Sequence, residues 1–116
     1  MLKLFGIKNC DTIRKARAWL DAGDHPHIFH DYKVHGIDPD MLQAWMRELG
    51  WEAVLNRTGT TFRNLPEEQR QALNADSAMA LMLAQPSMIR RPVLDLGHQR
   101  VVGFTAEVYA RALTPS

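Results

Sequence analysis

The sequence contains a single cysteine, Cys10, among its 116 residues. An intramolecular disulfide needs two cysteines and a zinc site built on cysteine needs several, so both are excluded. Neither sign of charge is in large excess, because the chain has 14 Lys and Arg residues and 13 Asp and Glu residues. A net charge of +1 gives no broad electrostatic reason to expect direct binding to nucleic acid or to a membrane.

Long apolar runs and metal-ligand motifs are missing as well. No apolar run approaches the length of a membrane span, and the first residues lack the apolar core of a signal peptide. A free thiol without an export signal fits a reducing compartment, so we expect a cytoplasmic protein. The five histidines form no HExxH or similar spacing, so we expect no metal cofactor.

The N-terminal stretch predicts a strand, a tight loop and a helix. Residues 2–7 are mostly apolar, and a helical period starts at Ile13. The loop carries two residue types that cap helices, Asn9 and Asp11. The cysteine between them is therefore predicted to lie at a helix N-terminus.

A helix N-terminus changes the chemistry of a thiol. Backbone N–H groups without helical partners and the helix dipole both favour a thiolate, so we expect Cys10 to have a lowered pKa and to act as a nucleophile. Arg14 follows one turn later, where its guanidinium can reach an anion held at the loop. A lone cysteine is also often a small buried hydrophobe, but the strand–loop–helix context favours the reactive thiol.

The rest of the chain reads as a second strand, a helical block, a hairpin and a last helix. The predicted elements are a strand at 27–32, loops at 34–36 and 56–61, helices opened by Asp38 and Pro39, by Pro66 and by Asp76, a hairpin at 93–96 and 100–104, and a helix capped by Thr105. The first two strands and their helix predict a parallel crossover. This order, β-α-β, helices, β-β-α, is that of a thioredoxin-like fold with helices inserted in its middle, and other α/β folds can share it.

Three motifs carry a resemblance to a known family: residues 6–16 around the cysteine, 55–59 and 89–93. Over nearly its whole length the chain resembles the arsenate-reductase-like family, which includes glutaredoxin-linked arsenate reductases and the Spx regulators. It is most similar to the small YffB-type members, proposed as glutathione-dependent thiol reductases. The resemblance implies a single α/β domain, 1–116, with a mixed four-stranded sheet and a helical insertion at about 37–90.

The resemblance also implies roles for individual residues. Cys10 matches the catalytic cysteine, and Arg14 completes a Cys-x-x-x-Arg spacing. Arg57 and Arg91 match arginines that hold the oxyanion or the glutathione-linked intermediate, so we expect both to converge on the cleft of the cysteine. Pro92 matches the cis proline of the fold. The loop residues implied in substrate or glutathione binding are Asn9, Asp11 and Thr12.

Departures from the family pattern make some functions of the family better expectations for this chain than others. Gly6 stands where arsenate reductases have a histidine, and no arginine lies at 102–103, where they have a third. Ile13 stands where Spx regulators often have a second cysteine. We therefore expect a monomeric thiol reductase that uses glutathione as co-substrate and glutaredoxin as a partner. The alternatives are an Spx-like regulator that binds RNA polymerase and a glutaredoxin-linked arsenate reductase.

Overall fold

A computed structural model of the chain describes residues 2–8 and 10–113. It divides into two compact units: the first runs up to Asp31 and resumes at Arg91, and the second is Tyr32–Arg90. Within the described residues, none of the helices combines the length and the apolarity that a membrane span requires.

Four strands and eight helices are present in the described residues. The strands are β1 (Leu2–Gly6), β2 (His27–Asp31), β3 (Val93–Asp95) and β4 (Arg100–Val102). The helices are α1 (Asp11–Ala22), α2 (Tyr32–His35), α3 (Pro39–Leu49), α4 (Trp51–Val54), α5 (Thr60–Arg63), α6 (Glu67–Gln71), α7 (Ala75–Ala84) and α8 (Ala106–Leu113), with a 3₁₀ turn at Pro86–Met88.

The first unit is built on a mixed sheet in the order β2-β1-β3-β4. β1 pairs in parallel with β2 and antiparallel with β3, and β3 forms an antiparallel hairpin with β4. The register places Leu4 between Phe29 and Leu94, at the centre of the sheet. The parallel crossover, the hairpin and the mixed four-stranded sheet predicted from the sequence are therefore confirmed.

Two helices cover the core of this unit. Ala16 and Leu20, one turn apart on α1, pack with Leu4 and Leu94 of the sheet and with Tyr109 of α8. All five are fully buried. The helical period predicted for the N-terminal region thus faces the sheet, and burial of this apolar stripe stabilises α1 and positions its first turn.

The second unit contains α2 to α7. Its buried residues include Leu42 and Trp45 on α3 and Met82 on α7. The chain that leaves α4 is tied to the segment before β3 by a bridge between Leu55 and Ile89. The sequence prediction of one domain with an insertion at about 37–90 stays a prediction.

The start of α7 differs from the sequence prediction. The N-cap is Asn74 rather than Asp76. The Asn74 side chain accepts from the Ser77 backbone N–H at 2.9 Å, and the Ser77 hydroxyl accepts from the Asn74 backbone N–H at 2.9 Å. Two reciprocal hydrogen bonds outweigh the single favourable charge that Asp76 brings to the first turn.

Two predicted loops contain short helices, and the hairpin strands are shorter than predicted. Val34 and His35 belong to α2, and Thr60 and Thr61 begin α5. One-turn helices are too short to show a helical period in sequence, which is why the pattern did not indicate them. The predicted helix starts at Asp38 and Thr105 are confirmed, because each side chain accepts a hydrogen bond from the backbone of the helix that follows.

Candidate active site

Cys10 is the N-cap residue of α1, with extended backbone angles of φ −98° and ψ 131°. Its carbonyl oxygen accepts the backbone N–H of Arg14 at 3.0 Å, the first hydrogen bond of the helix. The prediction of a cysteine at a helix N-terminus is confirmed, although the cap is Cys10 itself rather than Asn9 or Asp11. Asn9 lies outside the described residues.

Opposing effects act on the thiol. Partial burial raises the pKa of Cys10, whereas the backbone N–H groups of Ile13 and Thr12 and a hydrogen bond and charge from Arg91 lower it. The sulfur makes no capping hydrogen bond of standard geometry, but the combined effect of these N–H groups and of Arg91 on its pKa exceeds that of burial. The pKa of Cys10 therefore lies below its ordinary value, which increases the thiolate fraction near neutral pH.

Arg91 is the cation that contacts the thiol. It directly precedes Pro92, the Arg91–Pro92 peptide bond is cis, and Pro92 is buried at the entrance to β3. The Pro92 carbonyl accepts the Gly103 backbone N–H at 2.8 Å, which extends the hairpin pairing by one residue. β3 lies beside β1, and this neighbouring position brings Arg91 to the loop that follows β1.

Arg14 makes a different contact from the one expected for anion binding. Its guanidinium pairs with the Asp11 carboxylate one turn back, and both side chains are largely exposed. Thr12 contributes its backbone N–H to the cysteine sulfur. Binding of substrate or glutathione by Arg14, Asp11 and Thr12 stays a prediction.

Arg57 belongs to the second unit. It lies in the loop between α4 and α5, and it is exposed. The loop is ordered by Asn56, whose side-chain oxygen accepts the backbone N–H of Thr58 at 3.1 Å. The expected convergence of Arg57 with the cysteine stays a prediction. No group of three or more His, Cys, Asp or Glu within the described residues could hold a metal ion.

Gly6 has a packing role that the sequence did not indicate. It ends β1, and a Cβ built on it would overlap the Cδ1 atom of Ile13 and approach Cγ1 at 3.0 Å. Ile13 is only 2% exposed, so its side chain has little room to move away. The same Cβ position lies 3.9 Å from the Cβ of Arg91. The absence of a side chain at Gly6 thus lets α1 and Arg91 approach the end of β1.

The arrangement suits nucleophilic thiol chemistry. A thiolate at a helix N-terminus can attack sulfur in a disulfide or an electrophilic oxyanion. The adjacent guanidinium of Arg91 can stabilise negative charge on the thiolate or on a bound anion.

Comparison with known proteins places the chain in one family. Residues 5–112 match the ArsC family. An uncharacterised protein of Haemophilus influenzae is 35% identical over 112 residues, covering 97% of this chain and 98% of that protein. The global transcriptional regulator Spx of Streptococcus pneumoniae is 26% identical over 117 residues, covering 99% of this chain and 86% of the regulator.

Solved structures agree with this placement. The structure of a YFFB protein is similar with a TM-score of 0.94 at 54% identity, covering 98% of this chain and all (100%) of the other. An arsenate reductase (ArsC) related protein from Brucella melitensis is similar with a TM-score of 0.79 at 46% identity, covering 98% of this chain and 95% of the other. The resemblance read from the sequence is confirmed: the chain belongs to the ArsC family and has its thioredoxin-like fold.

Proposed function

We propose that this protein is a glutathione-dependent thiol reductase in which Cys10 is the only protein nucleophile. Membership of the ArsC family, which includes arsenate-reductase-like proteins, supports thiol-based reduction in general. The observation that carries the finer proposal is the Cys10 thiol at the start of α1, with Arg91 hydrogen-bonded to its sulfur and its pKa lowered.

The proposed cycle has two thiol–disulfide exchanges. The Cys10 thiolate attacks the glutathione sulfur of a mixed disulfide, so a new S–S bond forms and the substrate leaves as a thiolate that takes a proton from water. A second glutathione thiolate then attacks the glutathione sulfur of the Cys10 adduct. This step releases glutathione disulfide and regenerates the Cys10 thiolate. Overall, one disulfide is exchanged for another: the substrate sulfur is reduced to a thiol, and the incoming glutathione is oxidised as it joins the first glutathione in glutathione disulfide.

An external thiol is required because the chain cannot resolve its own adduct. Cys10 is the only cysteine, and Ile13 stands at the position that would complete a Cys-x-x-Cys pair. Glutathione is abundant in reducing cytoplasm, and glutaredoxin is the alternative resolving thiol. Arg91 beside the thiol suits a carboxylate of glutathione, because guanidinium groups bind carboxylates through paired hydrogen bonds, and the resemblance to the family implies the same kind of role for Arg57.

Arsenate is the weaker substrate in this proposal. A tetrahedral oxyanion needs several charge-assisted hydrogen bonds, and each one lost costs about 1.5–3 kcal/mol. The Ile13 side chain fills the space beside Gly6, and no arginine stands at Val102 or Gly103. A mixed disulfide of glutathione depends less on those missing donors, because its peptide offers more contacts.

The test compares substrates under one set of conditions. Purified protein is assayed at equal glutathione concentration with several glutathione mixed disulfides and with arsenate, and Cys10→Ser is the control. We expect turnover of at least one mixed disulfide to exceed that of arsenate, and the Cys10→Ser variant to be inactive. Arsenate turnover equal to that of the mixed disulfides, or activity that survives in Cys10→Ser, would refute the proposal.

The likeness to Spx proteins supports a second function, binding to RNA polymerase. Proteins named global transcriptional regulators match 99% of the chain at 26% identity. Cys10→Ser separates the two functions, because a binding protein keeps its partner without the thiol whereas a reductase loses turnover. Capture of purified RNA polymerase by both the native chain and Cys10→Ser would favour the second function. The absence of capture by either chain would reject it.

A further inference from the structure

Asp31 stands out because it is a charged side chain that is almost removed from solvent. It is 8% exposed, and it is the one charged residue of the described part of the chain that is buried. Burial of a carboxylate is costly unless hydrogen bonds compensate for the lost water. The proposed reaction does not use Asp31 directly, so another role must explain why this carboxylate is buried.

The position of Asp31 connects it to the cysteine loop. It ends β2, and the register of the sheet pairs it with Gly6, the last residue of β1. One of its carboxylate oxygens accepts the backbone N–H of Lys8 at 3.3 Å. Lys8 lies two residues before Cys10, in the segment that joins β1 to α1.

We propose that Asp31 is a positioning residue for Cys10, holding the loop through the Lys8 amide so that the sulfur meets the α1 amides and Arg91. This inference rests on the proposed function only for its purpose, because the geometry of the loop can be tested without any substrate. The groups that act directly on the Cys10 thiol are Thr12, Ile13 and Arg91, so the role proposed for Asp31 passes through the Lys8 amide.

Asp95 offers a matched control at the other end of the sheet. It ends β3, and its carboxylate accepts the backbone N–H of Gly97 at 2.8 Å. It is aligned with Lys3 near the start of β1, whereas Asp31 is aligned with Gly6 at the end of that strand. Asp95→Ala therefore removes the same kind of carboxylate–amide hydrogen bond far from the cysteine loop, together with an ion pair to Arg100 at 3.8 Å.

The experiment measures alkylation of Cys10 by iodoacetamide against pH in the full chain. We expect Asp31→Ala to raise the midpoint by about half a pH unit or more, which corresponds to a ~3-fold loss of thiolate. Asp31→Asn keeps a side-chain oxygen that can accept the Lys8 N–H, so its midpoint should stay at the native value. Asp95→Ala should also leave the midpoint unchanged.

Hydrogen exchange of the Lys8 amide provides a second measurement. An exposed loop amide exchanges rapidly unless it is hydrogen-bonded, so protection in the native chain and in Asp31→Asn supports the proposal. If circular dichroism shows that Asp31→Ala does not fold, these two chains decide the question. An unprotected Lys8 amide in the native chain overturns the proposal. An alkylation midpoint in folded Asp31→Ala equal to that of the native chain also overturns it. So does a midpoint shift in Asp31→Asn as large as the shift in Asp31→Ala.

Failure of the proposed function gives a different result. Iodoacetamide alkylation requires no glutathione, so a native chain without glutathione turnover rejects the reductase while leaving the Asp31 comparison intact. Conversely, native turnover together with an Asp31→Ala midpoint equal to the native one rejects only the role of Asp31.

Discussion

At the scale of single residues, the reactivity of Cys10 combines local and distant donors. The amides of Ile13 and Thr12 come from the same helix, whereas Arg91 comes from the segment that enters β3. Partial burial works against them by raising the pKa of the thiol. The net lowering of the pKa therefore depends on all the donors staying in place.

Removal of Arg91 should make the thiol less acidic. In the native chain the Cys10 thiolate persists above its lowered pKa and is lost as pH falls through that value. Arg91→Ala should move this loss to higher pH and slow alkylation near neutral pH by about 3–10-fold, because an opposite charge beside a thiolate lowers its pKa. The measurement is the iodoacetamide rate against pH. Arg90→Ala, an adjacent exposed arginine, is the control, and superimposable profiles for both variants would contradict the expected role.

Substitutions at Gly6 and Ile13 should have coupled effects on the free energy of unfolding. Gly6→Ala places a methyl group against the Cδ1 atom of the buried Ile13, so we expect a loss of about 1–3 kcal/mol in the free energy of unfolding. Ile13→Val alone should cost about 0.5–1.5 kcal/mol. The double variant should lose less free energy of unfolding than the two single variants lose together, because valine lacks the δ-carbon that the new methyl group would meet. Urea unfolding of the four chains measures the coupling, and strict additivity would disprove the overlap.

At the scale of elements, the capping box of α7 can be used to test whether Asn74 rather than Asp76 caps this helix. Asn74→Ala removes the acceptor for the Ser77 N–H and should lower the free energy of unfolding by about 1 kcal/mol. Asp76→Ala removes an exposed carboxylate that is not the cap and should cost clearly less. Chemical denaturation of both variants measures the difference. A larger loss in Asp76→Ala would restore the prediction made from the sequence.

The longer helices predicted from the sequence share one property, which is a visible period or a strong cap. The apolar stripe of α1 and the capping residue Asp38 belong to helices of eleven or more residues, where the pattern repeats over several turns. α2, α4 and α5 each have only four residues, which is too few for a 3.6-residue period to appear. These short helices depend on their tertiary surroundings more than on their own sequence.

At the scale of the whole molecule, the role in glutathione binding that the family resemblance implies for Arg57 can be tested by substitution. Arg57 is exposed in its loop, and it is not among the groups that act on the Cys10 thiol. If it binds a glutathione carboxylate, Arg57→Ala should raise the KM for glutathione several-fold and leave the alkylation profile of Cys10 unchanged. Steady-state kinetics measures the KM.

Arg63 serves as the control for this prediction. It is an exposed arginine at the end of α5 in the same unit, so Arg63→Ala removes an equal charge. A native KM in Arg57→Ala, or an equal rise in both variants, would show that Arg57 has no specific role.

The family, the mixed sheet and the place of Cys10 at a helix N-terminus could all be predicted without coordinates. The place of Cys10 depends on local features, because the apolar strand, the loop and the helical period follow one another within a short stretch of chain. The family and the mixed sheet instead followed from the resemblance carried by three motifs. The resemblance predicted that Arg91 lies in the cleft of the cysteine. The structure adds the hydrogen bond from Arg91 to the sulfur, the packing of Ile13 beside Gly6 and the hydrogen bond between Asp31 and the Lys8 amide. Local patterns could not predict the last two contacts, because they depend on strand register and on side chains distant in sequence.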